Sequence, residues 1–228
     1  MQTPTFTDPK TYLADVVREL QVQWPANHTV NIVCHGHSVP AGYFATPKVD
    51  TFHAYPLLVH VGIKDRFPFA VVNVIVTAIG GENSEQGAAR FERDVLSLKP
   101  EVVTIDYGLN DRGIGLDRAK AAWTAMIRAA QASKVKVILL TPTGDLSANL
   151  DDENDPLCRH ARQIRELAAQ YGVGLVDSLA AFRAYVKAGG SLKDLMSQVN
   201  HPNEKGHAIV AKLLLEWFGR PGGAGGKG

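Results

Sequence analysis

The chain has few cysteines, no long apolar run and no excess of either charge among its 228 residues. Its two cysteines, Cys34 and Cys158, are far apart and follow no CxxC or Cys/His zinc spacing, so neither a disulfide framework nor a zinc site is predicted. No apolar segment is long enough to cross a bilayer. The formal net charge of +1 comes without a run of one sign, which gives no indication of nucleic-acid or membrane-surface binding.

The ends and the overall composition predict one domain. The first residues, MQTPTFTDPK, lack the charged and apolar regions of a signal peptide, so we expect a cytoplasmic protein, or a secreted one if a leader has been removed. The length suits a single α/β domain over residues 1–220, followed by a flexible glycine-rich tail at 221–228. No motif predicts a cofactor or a metal, and the sequence does not specify an oligomeric state.

Short apolar, β-branched runs alternate with helical patterns along the whole chain. The predicted strands are nearly continuous in apolar residues, as strands covered on both faces are, and they are Thr29–Cys34, Ala70–Thr77, Val102–Tyr107, Lys136–Thr141 and Gly174–Val176. One predicted helix starts at Thr7 or Asp8, and the others span roughly 51–64, 85–98, 116–132, 156–171, 178–188 and 203–218. Ser84 and Asn203 are predicted N-caps, and residues 143–156 a long loop. This alternation predicts a three-layer α/β/α fold with a flavodoxin-like five-stranded parallel sheet.

Polar residues follow the strands where a parallel sheet binds its ligands, beyond the carboxyl ends. These polar segments are His35–Ser38, Ala78–Asn83 and Gly108–Asp111, and a further one, His201–Asn203, precedes the last helix. They can bring a serine, a glycine loop, an amide and a histidine to one edge of the sheet. Ester hydrolysis needs a nucleophile, a base and donors for the oxyanion. Each residue alone has an ordinary structural explanation as a cap or a turn residue.

Together the segments resemble the conserved sequence blocks of the SGNH (GDSL-like) hydrolase family. Gly36–Gly42, with the sequence GHSVPAG, is similar to the GDSxxxG block, and Gly108–Asp111 is an intact GxND. His201–His207 is similar to the last block, in which the catalytic histidine is followed by Pro-Asn and then Gly-His. Ala78–Asn83 resembles the block that supplies a glycine. The blocks occur in the family's order and at strand ends.

The resemblance implies a role for each matching residue. Ser38 would be the nucleophile and His201 the base. The backbone N–H groups of Ser38 and Gly81, with the side-chain amide of Asn110, would form the oxyanion hole. The family has an acidic residue directly before the serine, and this chain has His37 at that position. His207, inside the last predicted helix, is interpreted as structural.

The chain departs from the family at the residue that orients the base. The family places an aspartate three residues before the catalytic histidine, and Gln198 occupies that position here. If residues 191–198 form a helix, Asp194 and Gln198 share a face, so Asp194 is a second candidate. Three outcomes remain open: a working Ser–His dyad, a triad with a carboxylate from elsewhere, or a weakened enzyme.

The implied function is a serine esterase for small acyl esters, with a carbohydrate deacetylase as the leading hypothesis. Its expected partner is a small-molecule ester, not nucleic acid or a membrane. An α/β-hydrolase is disfavoured because Pro40 replaces the second glycine of GxSxG. A nucleotide-binding domain is disfavoured because no P-loop or GxGxxG follows a strand. Gln198 keeps a further alternative open, an SGNH-fold protein that binds carbohydrate or acts as a scaffold without turnover.

Overall fold

Five β-strands form one parallel sheet in the computed structural model, which describes residues 7–219. The strand order is β2-β1-β3-β4-β5. The strands are β1 Thr29–Gly36, β2 Val71–Val76, β3 Val102–Asp106, β4 Lys136–Leu140 and β5 Gly174–Val176. Helices cover both faces of the sheet, so the predicted α/β/α fold is confirmed.

The nine α-helices in residues 7–219 are α1 Pro9–Tyr12, α2 Ala14–Gln21, α3 Ser38–Ala41, α4 Tyr55–Arg66, α5 Ser84–Asp94, α6 Leu116–Ala132, α7 Pro156–Tyr171, α8 Ser178–Lys187 and α9 Glu204–Glu216. Short 3-10 helices lie at Leu96–Leu98, Asn110–Gly113 and Leu192–Leu195. No helix in this part of the chain is both long and apolar enough to span a membrane. The predicted tail at 221–228 lies outside the described residues.

Successive side chains of each strand pack alternately into two separate hydrophobic cores. In β1, Ile32 and Cys34 face the core beneath α2, α4, α8 and α9, whereas Val33 faces the core beneath α5, α6 and α7. In β4, Ile138 and Leu139 divide between the two cores in the same way. Because successive strand residues point to opposite faces, a strand covered on both sides must be apolar throughout. This explains the continuous apolar runs in the sequence.

Helix starts were predicted less well than strands. Asn203 is the N-cap of α9, as predicted, and its side chain accepts a hydrogen bond from the Gly206 N–H. The predicted N-cap of α5, Ser84, is wrong by one residue. Its N-cap is Asn83, which forms a capping box with Gln86, so Ser84 is the first helical residue. The long loop between β4 and α7 is confirmed.

Gly36 allows the end of β1 to pass close to the end of β3. A Cβ atom at this position would lie 2.5 Å from the Asp106 carbonyl oxygen and 2.7 Å from Cγ of Pro40. Any side chain here would therefore push apart the strand end and the turn that carries Ser38.

We expect Gly36→Ala to lower the free energy of unfolding by about 1–3 kcal/mol, the usual cost of forcing extra atoms into a packed site. Urea denaturation measures this change. Gly113→Ala is the matched control, because no atom lies within 4 Å of its added Cβ. Equal stability of both variants would contradict the proposed close approach.

Candidate active site

Ser38 lies at the turn that joins β1 to α3. It is the first residue of α3, so its backbone N–H has no acceptor within the helix. His37 is the N-cap, and its Nδ1 accepts a hydrogen bond of 3.2 Å from the Val39 N–H. The side chain of this cap therefore fixes the start of the helix that presents the serine. Ser38 is 6% exposed.

His201 approaches Ser38 from the loop before α9. Its Nε2 lies 2.9 Å from the Oγ of Ser38, a distance at which the hydroxyl can donate to the imidazole. An isolated bridge between Met196 and Pro202 and the Asn203 cap fix the backbone on either side of the histidine. The structure thus brings together the two residues predicted as nucleophile and base.

The predicted oxyanion residues lie on the two loops that flank this pair. Gly81 has a φ of 83°, and no atom lies within 4 Å of a Cβ built there, so its surroundings are open. The Asn110 side-chain amide donates a 2.8 Å hydrogen bond to the Glu82 carbonyl, which ties the GxND loop to the glycine loop. The second hydrogen of that amide remains available to an oxyanion.

Asp111 also connects the GxND loop to the segment that follows the glycine loop, through hydrogen bonds to its side chain. Its carboxylate accepts hydrogen bonds from the Ser84 N–H at 2.8 Å and from Trp123 Nε1 at 2.6 Å. Burial raises the pKa of Asp111, and these two hydrogen bonds oppose that rise. The final residue of GxND thus positions Asn110, a role that the sequence analysis did not assign.

A comparison with protein-family models matches residues 34–209 to the GDSL-like lipase/acylhydrolase family. The chain belongs to this family. It is therefore a serine ester hydrolase of the SGNH type, as its sequence blocks implied.

The relatives act on acetylated glycans. An acetylxylan esterase from Geobacillus stearothermophilus is 25% identical over 165 residues, which cover 67% of this chain and 75% of the relative. A solved structure of an acetylxylan esterase from the same organism superposes with a TM-score of 0.72 at 24% identity, covering 84% of this chain and 95% of that one. A two-domain esterase active on acetylated mannans has a TM-score of 0.73 at 24% identity, covering 91% of this chain but 52% of that one.

This GDSL-like hydrolase orients its histidine with a main-chain oxygen. The Nδ1 of His201 lies 2.7 Å from the carbonyl oxygen of Phe44. A carbonyl can only accept, so this contact requires the proton on Nδ1 and leaves the lone pair of Nε2 facing the Ser38 hydroxyl. That is the tautomer that a general base needs.

Gln198 also lies beside the imidazole, but it adds no negative charge. Its Nε2 is 2.7 Å from the Nδ1 of His201, and its Oε1 accepts a 2.9 Å hydrogen bond from the Thr46 N–H. An amide nitrogen can donate to Nδ1 only in the opposite tautomer, so it competes with the Phe44 carbonyl. Both neighbours of Nδ1 are neutral groups.

The structure does not bring Asp194 to the histidine. Its carboxylate accepts hydrogen bonds from the Ser191 N–H at 2.9 Å and the Tyr185 hydroxyl at 3.1 Å. Residues 192–195 form a single 3-10 turn, not a helix through Gln198, so the two side chains do not share a helical face. The suggestion that Asp194 orients His201 is therefore wrong.

The Phe44 carbonyl is the functional group that the sequence analysis missed. The Phe44 N–H donates to the Lys48 carbonyl at 3.0 Å, and the ring packs 5.0 Å from the ring of His207 between centroids. The buried Nδ1 of His207 accepts from the Tyr55 N–H at 3.2 Å, in keeping with its structural interpretation. No sequence signal marks such a carbonyl, since every residue has one.

His37 occupies the position that an acidic residue holds in the family, and it lies near the carboxylate of another residue. It is 1% exposed, its Nδ1 lies 3.3 Å from the Ser38 Oγ, and its Nε2 lies 3.5 Å from Oδ1 of the buried Asp106. The imidazole lies between the serine and the end of β3, but Nε2 has no hydrogen-bond partner within the described residues. The position of the family's acidic residue is thus occupied by a buried histidine that lies near the Asp106 carboxylate.

Burial lowers the pKa of His201 from its usual 6.5. The Phe44 carbonyl opposes this shift, and the nearby His37 adds to it through charge repulsion. The neutral, basic form of His201 therefore predominates at pH 7.

We expect kcat/KM to fall toward acid pH with a midpoint below 6.5, as His201 becomes protonated and can no longer accept the serine proton. The measurement is a pH–rate profile on p-nitrophenyl acetate, with circular dichroism at each pH to confirm folding. A limb centred above pH 6.5 would contradict the lowered pKa.

We expect Gln198→Glu to raise the pKa of His201 by about 1–3 units, since a carboxylate beside Nδ1 favours the imidazolium. It should also raise kcat, by about tenfold for each 1.4 kcal/mol of added stabilisation of that cation in the transition state. Gln198→Leu, which is similar in size but uncharged, should leave the acidic limb unchanged. An unshifted limb in the Glu variant would show that the carboxylate does not reach the imidazole.

Proposed function

We propose that this protein removes small acyl groups, acetyl above all, from carbohydrate esters, with Ser38 as nucleophile and His201 as base. The observation that carries the proposal is the 2.9 Å contact between Oγ of Ser38 and Nε2 of His201 in a chain of this hydrolase family. The lowered pKa of His201 supports it, because the base is then ready to accept a proton at neutral pH.

The proposed reaction proceeds through an acyl-enzyme. Ser38 Oγ attacks the ester carbonyl as its proton passes to Nε2 of His201. The N–H groups of Ser38 and Gly81 and the Asn110 amide bind the resulting oxyanion. The imidazolium then protonates the leaving alcohol. In the second half, His201 deprotonates a water molecule that attacks the acyl-serine, and the imidazolium returns this proton to Ser38 Oγ as the carboxylic acid leaves. The Phe44 carbonyl holds the ring in place during all of these proton transfers.

The acetyl preference rests on the relatives. They include the acetylxylan esterase and the esterase active on acetylated mannans, so acetylated polysaccharides are the substrate class that we propose here. Solved catalytic mutants of that acetylxylan esterase alter a serine, a histidine and an aspartate. We propose that this serine and histidine correspond to Ser38 and His201, and that Gln198 takes the position of the aspartate.

We expect Ser38→Ala to reduce acetate release from acetylated xylo-oligosaccharides by about 10⁵–10⁶-fold, because the nucleophile is lost. Asn110→Ala should lower kcat by about 10²–10³-fold, the usual effect of removing one oxyanion donor. Ser133→Ala, at an exposed position after α6, is the matched control and should keep full activity. Acetate release is followed by a coupled assay.

A fluorophosphonate probe separates this enzyme from a carbohydrate-binding protein without turnover. The probe should label Ser38 in the native chain and leave Ser38→Ala unlabelled, as mass spectrometry of the modified peptide would show. A native chain that binds xylo-oligosaccharides yet resists the probe and releases no acetate would overturn the proposed function.

A further inference from the structure

An open cavity of about 380 Å³ lies at the carboxyl edge of the sheet, and none of Ser38, Gly81, Asn110 and His201 is among its lining residues. Its walls come from the Asn110–Gly113 turn and from the first turns of α6 and α7. The polar side chains that line it are Arg112, Asp117, Arg159 and His160. Its volume falls within the range of small-molecule sites, about 300–1,000 Å³.

His160 is a buried polar group that faces this cavity. It is 4% exposed, and neither ring nitrogen has a hydrogen-bond partner among residues 7–219. The ring nitrogens are not among the fully buried unpaired atoms of the described chain, so they are accessible from the cavity and can pair there with a ligand or with water. Burial, and then the charges of Arg112 and Arg159, lower its pKa to about 4. The ring is thus neutral at pH 7 and offers one donor and one acceptor.

The two arginines that line the cavity differ in whether their guanidinium groups are already paired. Arg112 is held by Asp145, at 2.6 Å from Nη2, and its Nε donates to the Leu109 carbonyl at 2.8 Å. Arg159 is exposed, and its guanidinium has no hydrogen bond or ion pair within the described chain. Its positive charge is therefore available to an anionic ligand, and a guanidinium binds a carboxylate through two parallel hydrogen bonds.

The third polar element of the lining is Asp117, in the first turn of α6. A carboxylate can only accept hydrogen bonds, so it suits the hydroxyl groups of a sugar and repels a second anion. A ligand that satisfies this lining carries one anionic group, for Arg159 and His160, together with hydroxyl groups, for Asp117. A sugar acid has both.

The cavity lies at the same edge of the sheet as the proposed active site. Its lining comes from segments that follow the carboxyl ends of β3 and β4, and Ser38 follows the carboxyl end of β1 in the same parallel sheet. Arg112 of the lining and Asn110 belong to one 3-10 helix.

We propose that this cavity is a subsite for a uronic-acid residue of the acetylated glycan. Arg159 and the N–H of His160 bind its carboxylate, and Asp117 accepts its hydroxyl groups. The substrate class is then an acidic acetylated polysaccharide, such as a xylan that carries glucuronic acid. This inference rests on the proposed carbohydrate esterase function.

Binding is tested on the Ser38→Ala protein, so that no turnover is needed. Isothermal titration calorimetry compares xylotriose bearing one glucuronic acid with plain xylotriose. The acidic oligosaccharide should bind more tightly. Adding Arg159→Gln should weaken its binding by about 10–100-fold, the usual loss for a hydrogen bond to a charged group, and leave plain xylotriose unaffected.

Arg162→Gln is the matched control, because Arg162 is an exposed arginine of the same helix that does not line the cavity. It should leave both affinities unchanged. Equal binding of the two oligosaccharides, or an equal effect of the two arginine variants, would overturn the subsite. So would binding of inorganic phosphate through Arg159 without binding of the acidic oligosaccharide.

The two proposals fail separately. A native protein that releases no acetate while its Ser38→Ala variant binds the acidic oligosaccharide through Arg159 would overturn the esterase and retain the subsite. A native protein that deacetylates neutral and acidic oligosaccharides equally well, with no effect of Arg159→Gln, would retain the esterase and overturn the subsite.

Discussion

The hydrogen bond from Nδ1 of His201 to the main-chain carbonyl of Phe44 sets the chemistry of this site. It selects the tautomer in which Nε2 can accept the serine proton, 2.9 Å away. The carbonyl is itself held by the turn at Lys48 and by packing of the Phe44 ring against His207 of α9. The segment that orients the base and the helix that follows it are thus packed together as one unit.

A neutral acceptor has an electrostatic consequence. A carboxylate at Nδ1 would stabilise the imidazolium formed during catalysis, whereas a carbonyl dipole does so less strongly. Burial and the neighbouring His37 further disfavour the cation. The base is therefore neutral at pH 7, with Nε2 unprotonated, but its charged form gains less stabilisation at the moment of reaction. Gln198 accepts a hydrogen bond from the Thr46 N–H and so connects the loop that carries His201 to the segment that carries Phe44.

Much of the fold and the main site residues could be predicted from the sequence. The bounds of α6, α7 and β5 agree with prediction because apolar periodicity, Pro156 and flanking glycines mark them directly. Ser38 and His201 were identified through their motifs, and the sheet brings them together at its carboxyl edge. Two finer predictions were wrong because local hydrogen bonds formed in place of the predicted ones. Asn83 caps α5 in place of Ser84, and Asp194 closes its own 3-10 turn instead of reaching His201.

The sequence by itself determined the layers and the strands, and it singled out the proposed nucleophile and the proposed base, because each is encoded in the identity and spacing of side chains. Only the tertiary structure decided what touches Nδ1 of His201, since a main-chain carbonyl is common to all residues and its position depends on how distant segments pack. The same holds for the cavity that Arg112 and His160 line. Arg112 and His160 come from helical turns far apart in the chain, and only the fold makes them neighbours.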